Sequence, residues 1–162
     1  MNVDLIFKKG DGKYVKRDIM SLKTEGCFGL YFSAEWCNPC KEFTALLRKF
    51  HKITQYRRNP REKMHIIFVS LDNDAKSMLR YYKNEHGQWY ATPFGHSINK
   101  FLSDKYNVKT IPSLIILNKD WKLITSNGCD EIRQCVSETE DNKPVEEMYT
   151  ELYSDWLGFN QS

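Results

Sequence analysis

The chain has 162 residues, of which 41% are hydrophobic and 28% are charged, the composition of an ordinary globular domain. Its 24 basic and 21 acidic residues leave a net charge of +3, too small to indicate a nucleic-acid-binding protein. No apolar run approaches the roughly 20 residues that a membrane-spanning helix needs. We therefore expect a single domain over residues 1–162, monomeric, that binds neither nucleic acid nor membrane.

Five cysteines are an odd number and too few for a disulfide scaffold, so a reducing compartment is the simpler expectation. The first residues lack the long apolar segment and the cleavage site of a secretory signal. The sequence thus predicts a cytoplasmic protein and leaves the nucleus open as a second location.

The first third of the chain predicts a hairpin, a buried strand and a long helix. Residues 3–8 have the pattern of a strand, and a glycine-rich turn leads into a short second strand near residue 14. The apolar run at residues 27–33 predicts a buried strand. After Cys40, apolar residues recur at helical spacing to about residue 56.

The remaining two thirds predict further strands and helices around the same core. The nearly continuous apolar run at residues 64–71 predicts a central strand buried on both faces. The acidic run at residues 72–74 is typical of a helix N-cap. The further predicted elements are a helix over residues 75–85, a short helix over 98–106, strands at 114–117 and 121–125, and a helix over 144–157. The sequence therefore predicts an α/β fold with a mixed central sheet flanked by helices and a right-handed βαβ unit.

The motif Trp-Cys-Asn-Pro-Cys lies at residues 36–40, where the buried strand gives way to the helix. At a helix N-terminus the first backbone N–H groups are free and the dipole is positive, which lowers the pKa of a thiol. Pro39 suits the first helical turn, where its missing N–H costs nothing. We expect Cys37, at the mouth of the turn, to attack disulfides and Cys40, one turn on, to resolve the mixed disulfide.

A zinc half-site is the alternative interpretation of a Cys-x-x-Cys pair. Its other half would be a second close cysteine pair or a histidine pair, and the remaining cysteines and four histidines are scattered. We therefore expect no metal. Cys27 is interpreted as a small core residue. Cys129 and Cys135, six residues apart, are interpreted as a second regulatory thiol pair, as metal ligands, or as one buried helix cysteine and one exposed loop cysteine.

Residues 31–40, which read Tyr-Phe-Ser-Ala-Glu-Trp-Cys-Asn-Pro-Cys, resemble the active-site segment of the thioredoxin superfamily, and within it the tryparedoxin and nucleoredoxin branch. The chain departs from the usual patterns at two positions. Thioredoxin itself has an aspartate where this chain has Tyr31, and tryparedoxin-like proteins usually have a proline where this chain has Asn38. The resemblance implies a thioredoxin-like fold with an N-terminal β-hairpin.

The resemblance also implies which residues surround the two cysteines. Trp89 and Pro93 belong to a loop that resembles the active-site wall of tryparedoxin-like proteins. Ile111 and Pro112 match the Ile-Pro pair of the fold, whose proline is cis and whose loop faces the cysteines and can pair with a bound peptide. Trp36 would shield the two thiols and contribute to the substrate surface.

Three residues near the cysteines are candidates for tuning their chemistry. Glu35 and Lys41 flank the motif and would act electrostatically, although both are equally interpreted as solvated charges at the helix end. Tyr31 replaces the usual buried acid, so no carboxylate at that position would assist proton transfer from Cys40.

The resemblance implies a dithiol–disulfide oxidoreductase that acts on protein disulfides, is regenerated by an upstream thiol reductant and uses no bound organic cofactor. The alternative is a nucleoredoxin-like interaction or signalling module with little turnover. Its contact surface would be the aromatic patch of Trp36, Trp89 and Phe94. An intact pair of cysteines argues against binding as the only role, because binding alone does not need both thiols.

Overall fold

Seven strands form one mixed sheet in this computed structural model, which describes residues 2–138 and 143–158. The strands are β1 (Asp4–Lys8), β2 (Tyr14–Asp18), β3 (Phe28–Ser33), β4 (His65–Ser70), β5 (Tyr90–Ala91), β6 (Ser113–Leu117) and β7 (Leu123–Thr125). Their order across the sheet is β2-β1-β5-β4-β3-β6-β7. The N-terminal pair β1 and β2 is the predicted antiparallel hairpin.

The centre of the sheet is formed by its two most apolar strands. Every residue of β3 is buried, as are the four central residues of β4. The two strands run parallel, with Phe28 opposite His65 and Ser33 opposite Ser70, and β6 pairs with β3 on its other side in the antiparallel sense. Strands covered on both faces are expected to be continuously apolar, which is the pattern that these two segments show.

Within the described residues, five α-helices cover the sheet. They are α1 (Asn38–Thr54), α2 (Ala75–Glu85), α3 (Ser97–Lys105), α4 (Gly128–Ser137) and α5 (Val145–Gly158). Helices α1, α2, α4 and α5 share one hydrophobic cluster with Tyr31 and Phe68 of the sheet. Helix α3 contributes to a second cluster on the opposite face, together with Leu30 and Val69. Each central strand therefore sends alternate side chains into two separate cores.

The predicted fold class is confirmed, and two elements were not predicted. The loop around Trp89 was expected to contain neither helix nor strand, yet Tyr90 and Ala91 form β5, which lies between β1 and β4. Helix α4 was also missed. Within the described residues no helix combines the length and the apolar character needed to cross a membrane. The unit β3-α1-β4 brings the start of α1 to the carboxyl edge of the sheet, where the cysteine motif lies.

Candidate active site

Cys37 and Cys40 meet at the first turn of α1. Cys37 is the N-cap residue, and its Sγ accepts a hydrogen bond from the backbone N–H of Cys40 at 3.3 Å. Pro39 lies in the first turn, as predicted. The two Sγ atoms are at disulfide distance, with the Cα atoms 5.2 Å apart. The helix terminus therefore directs the N–H of Cys40 at the first sulfur, which stabilises negative charge there.

The two sulfurs differ in accessibility. Cys40 is fully buried, whereas Cys37 keeps 7% of its surface exposed and lines a cavity of about 370 Å³. The other residues around this cavity are Trp36, Leu71, Val108, Lys109, Thr110 and Ile111. A substrate therefore reaches Cys37 first, and Cys40 is protected behind it.

The loop before β6 closes the other side of this cavity. The peptide bond between Ile111 and Pro112 is cis, as the resemblance implied. The carbonyl oxygen of Ile111 lies 3.9 Å from Sγ of Cys37. Both loop residues are partly exposed, so the backbone beside the reactive sulfur is available to a bound chain.

The turn before the cysteines is clamped by the segment that follows β4. Nε1 of Trp36 donates a hydrogen bond to the carbonyl oxygen of Leu71 at 3.1 Å. The backbone N–H of Glu35 donates to Oδ1 of Asp72 at 2.8 Å, and the hydroxyl of Ser70 donates to Oδ2 at 2.7 Å. The sequence assigned Asp72 only to a helix-capping run. In the structure Asp74 is that cap, accepting from the N–H of Ser77, while Asp72 fixes the active-site turn.

The two flanking charges are each held in an ion pair. Arg80 binds the carboxylate of Glu35 through two hydrogen bonds, and this guanidinium holds the pKa of the carboxyl below its usual range. Lys41 pairs with Glu85 at 3.8 Å. Each flanking charge is thus compensated, and a carboxylate that stays ionised beside arginine is poorly suited to take a proton from Cys40.

Tyr31 belongs to a chain of buried hydroxyl groups behind Cys40. Its hydroxyl lies 3.2 Å from the carbonyl oxygen of Cys40 and 2.8 Å from Oγ1 of Thr44. Thr44 donates to the same carbonyl at 2.8 Å and contacts the hydroxyl of Tyr81 at 2.6 Å, which in turn contacts Oγ of Ser33 at 2.7 Å. Burial raises the pKa of the Tyr31 phenol. Tyr31 therefore remains protonated and holds the backbone at Cys40 rather than acting as a base.

Trp89 and Pro93 do not line the cavity next to Cys37. Trp89 is 1% exposed and its indole packs edge-on against His51, near the C-terminus of α1 and therefore at the other end of that helix from the cysteines. Its Nε1 donates to Nδ1 of His86 at 3.0 Å. Pro93 is partly exposed and follows β5. The structure thus places Trp89 in the core, and its assignment to the active-site wall is corrected. Leu71 and Val108 line the cavity instead, and no motif in the sequence identifies them in advance.

The other three cysteines are all buried and unpaired with one another. Burial raises the pKa of Cys27 and of Cys129 to about 12, and it also raises the pKa of Cys135. Cys27 is the core residue that the sequence predicted. The expectation of one exposed loop cysteine is wrong, because Cys129 and Cys135 both lie in α4 and are each 6% exposed. Among the residues that the structure describes, no three His, Cys, Asp or Glu side chains are grouped to hold a metal.

The chain is similar in sequence to nucleoredoxins. The nucleoredoxin of Xenopus laevis is 34% identical over 134 residues, which cover 79% of this chain and 31% of the relative. That of Danio rerio is 34% identical over 115 residues, covering 69% of this chain and 26% of the relative. The chain therefore spans no more than about a third of the nucleoredoxins it matches.

Solved structures with the same fold match over most of their length. Thioredoxin from Wuchereria bancrofti superposes with a TM-score of 0.68 at 34% identity, covering 95% of this chain and 96% of the other. Tryparedoxin I from Leishmania major gives 0.65 at 28% identity, covering 86% and 92%. The family model described as thioredoxin-like matches residues 27–123, which include the cysteine pair and the cis-proline loop. The chain belongs to the thioredoxin-like family, whose members are thiol–disulfide oxidoreductases, and has nucleoredoxins and tryparedoxins among its relatives.

Proposed function

We propose that this protein is a protein-disulfide reductase that uses Cys37 and Cys40 as its redox pair. One observation carries the proposal. The sulfur that caps α1 opens into a cavity, and its partner lies buried behind it at disulfide distance. In dithiol–disulfide exchange one thiol attacks the substrate disulfide and the second resolves the mixed disulfide. The accessible sulfur suits the first role and the buried sulfur suits the second.

In the first step the thiolate of Cys37 attacks one sulfur of a substrate disulfide. A bond forms between Cys37 and that sulfur, and the other substrate sulfur leaves as a thiolate, which takes up a proton from water. The N–H of Cys40, 3.3 Å from Sγ of Cys37, stabilises the attacking charge. The substrate chain lies in the cavity between Trp36 and Ile111, where the carbonyl oxygen of Ile111 can accept a backbone hydrogen bond.

In the second step the thiolate of Cys40 attacks Sγ of Cys37. The bond between the two cysteines forms, the mixed disulfide breaks and the second substrate thiolate leaves. The substrate has then gained two electrons and the protein has lost two. An upstream dithiol reductant returns the pair to its reduced form by the same exchange in reverse.

Tyr31 and Thr44 support the second step through the backbone. Both hydroxyls bond the carbonyl oxygen of Cys40, so the first turn of α1 stays fixed while the mixed disulfide forms and breaks. With a protonated tyrosine at this position and Glu35 bound to Arg80, the thiol proton of Cys40 passes to water or to the departing substrate thiolate. We expect the protein to act as a monomer on protein disulfides in the cytoplasm or the nucleus.

The test is reduction of insulin disulfides in the presence of dithiothreitol. We expect Cys37→Ser to reduce the rate to that of dithiothreitol alone, because the attacking sulfur is gone. Cys40→Ser, reduced and then freed of dithiothreitol before insulin is added, should accumulate a mixed disulfide with the substrate, visible by mass spectrometry. Cys135→Ser is the matched control and should retain the wild-type rate. Equal rates for wild type and Cys37→Ser would overturn the proposal.

An interaction module remains the second candidate, favoured by two exposed aromatic side chains, of which Trp36 lines the cavity next to Cys37. Trp36 is 59% exposed and Phe94 is 41% exposed. Trp89 is buried and is therefore not part of the predicted aromatic patch. A partner held by such a surface alone would bind the Cys37→Ser variant as tightly as the wild type. Failure of the insulin assay together with undiminished partner binding by that variant would favour this candidate.

A further inference from the structure

A second cavity, of about 300 Å³, lies at the turn of the hairpin formed by β1 and β2. The residues around it come from that hairpin, from α1, and from the C-terminal end of α2 and the segment that follows it. They are Lys8, Lys9, Gly10, Gly12, Tyr14, Arg48, Lys83, Asn84, His86 and Gln88. Within residues 2–138 and 143–158, this lining contains four cationic side chains and no carboxylate.

The most unusual of these cations is Lys8. It is only 8% exposed. Its ammonium donates to the carbonyl oxygen of Tyr82 at 2.8 Å and to the carbonyl oxygen of His86. Burial, together with the nearby charge of Arg48, lowers the pKa of this ammonium to about 8. A buried ammonium normally has an anionic partner, because the loss of hydration costs several kcal/mol. Here its two named acceptors are neutral.

The neighbouring cations add to this unbalanced charge. Arg48 of α1, Lys83 of α2 and Lys9 of the hairpin turn are exposed, and they line the same cavity as Lys8. In the described part of the chain none of these four forms an ion pair with a carboxylate. The amides of Asn84 and Gln88 supply further hydrogen-bond donors to the wall. The cavity is therefore a concave, cationic surface whose described lining contains no anionic acceptor.

We propose that this cavity binds a phosphate group, as free pyrophosphate or as part of a nucleotide. Several cations that converge from separate elements match an anion with several charged oxygens better than a single carboxylate. The guanidinium of Arg48 offers the planar pair of donors that binds two phosphate oxygens at once, and the lysines add point charges. The bound anion would supply the counter-charge that Lys8 lacks. The volume is at the lower end of the range for small-molecule sites.

The site is separate from the redox pair, so it can be tested without reference to catalysis. Binding of pyrophosphate and of ADP is measured by isothermal titration calorimetry at about 0.15 M salt, where exposed charges are largely screened. The double variant Arg48→Gln/Lys83→Gln removes two cations from the cavity wall while keeping Lys8 and the core intact. We expect it to bind pyrophosphate at least about tenfold more weakly than the wild type.

The matched control is Lys49→Gln/Lys76→Gln, which removes two exposed cations from α1 and α2 outside the cavity. This control should bind pyrophosphate within about twofold of the wild type. Equal affinities for pyrophosphate and ADP would assign the site to the phosphate group alone, whereas tighter binding of ADP would extend the ligand to a nucleotide. Equal losses in the two double variants, or no binding by the wild type, would overturn the proposal.

Discussion

Cysteines occur in two contrasting regions of this molecule. At the start of α1, Cys37 caps a helix and opens into a cavity. In the core, Cys27 and Cys129 pack among apolar side chains, and burial raises their pKa to about 12. The same side chain is thus placed for reaction in one region and for packing in the other. The comparison shows that position relative to a helix terminus and to solvent, rather than the number of sulfurs, determines thiol chemistry.

The sharpest test of this comparison is selective alkylation of the reduced protein. At neutral pH we expect iodoacetamide to modify Cys37 at least about 100-fold faster than Cys27 or Cys129, because only the first has an accessible, stabilised thiolate. Time-resolved peptide mapping by mass spectrometry measures the three rates. In urea the rates should converge, which serves as the control. Similar rates in the native protein would refute the distinction between the two regions.

A core substitution should affect stability and leave the redox turn intact. Phe50 is fully buried in α1 and contacts the rings of Tyr149 and Trp156 in α5. We expect Phe50→Ala to lower the free energy of unfolding by about 3–5 kcal/mol, measured in urea. The rate of insulin reduction per folded molecule should change by less than about twofold. Phe101→Ala removes a ring that is 52% exposed and should change stability by about 0.5 kcal/mol or less.

Acid should also destabilise the core, through the buried imidazole of His51. His51 is buried and bonded to the carbonyl oxygen of Met64, and burial lowers its pKa to about 4. The unfolded chain, in which histidine titrates near ~6.5, therefore binds more protons than the folded chain as pH falls from about 6.5 to 4. This residue alone should lower the free energy of unfolding by about 3 kcal/mol across that window.

Urea unfolding of wild type and His51→Gln at several pH values measures this contribution. The variant should lose less stability between neutral pH and pH 4 than the wild type does. Parallel pH profiles for the two proteins would show that His51 carries no such penalty.

The smallest expected effect concerns the flanking charge Lys41. Its ion pair with Glu85 is more than a third exposed on both sides, and such pairs contribute about 0–1 kcal/mol. We expect Lys41→Gln to shift the reduction potential of the cysteine pair by less than about 20 mV, measured against a glutathione buffer. Lys49→Gln on the same helix is the control. A shift above about 30 mV would restore the tuning role that the sequence suggested.

The elements that could be predicted from the sequence are those that a local residue pattern determines. The apolar runs of β3 and β4, and a proline at the start of a helix, predict their structure directly. The cysteine pair and its helix terminus were predictable for the same reason. The cis peptide at Pro112 followed only from the resemblance to a family, because the residues themselves do not specify it.

The missed elements depend on contacts that are distant in sequence. Strand β5 has only two residues and exists because β1 and β4 bond it on both sides. Helix α4 begins at Gly128 and Asn127 provides no side-chain cap, so its start carries no usual signal. A Cβ at Gly128 would lie 2.8 Å from the carbonyl oxygen of Leu114, so close packing on β6 positions this helix. Trp89 was misassigned for a similar reason, because its burial against His51 is a tertiary contact.

The exposure of Trp36 makes its intrinsic fluorescence a convenient probe of substrate binding. Trp89 and Trp156 are almost fully buried, and Trp121 is stacked on Phe28. A water-soluble quencher of fluorescence such as iodide would therefore collide mainly with Trp36, whose indole is held at the rim by Leu71. Any peptide that occupies the cavity would shield this emission, so substrate docking can be followed in real time on the unlabelled protein.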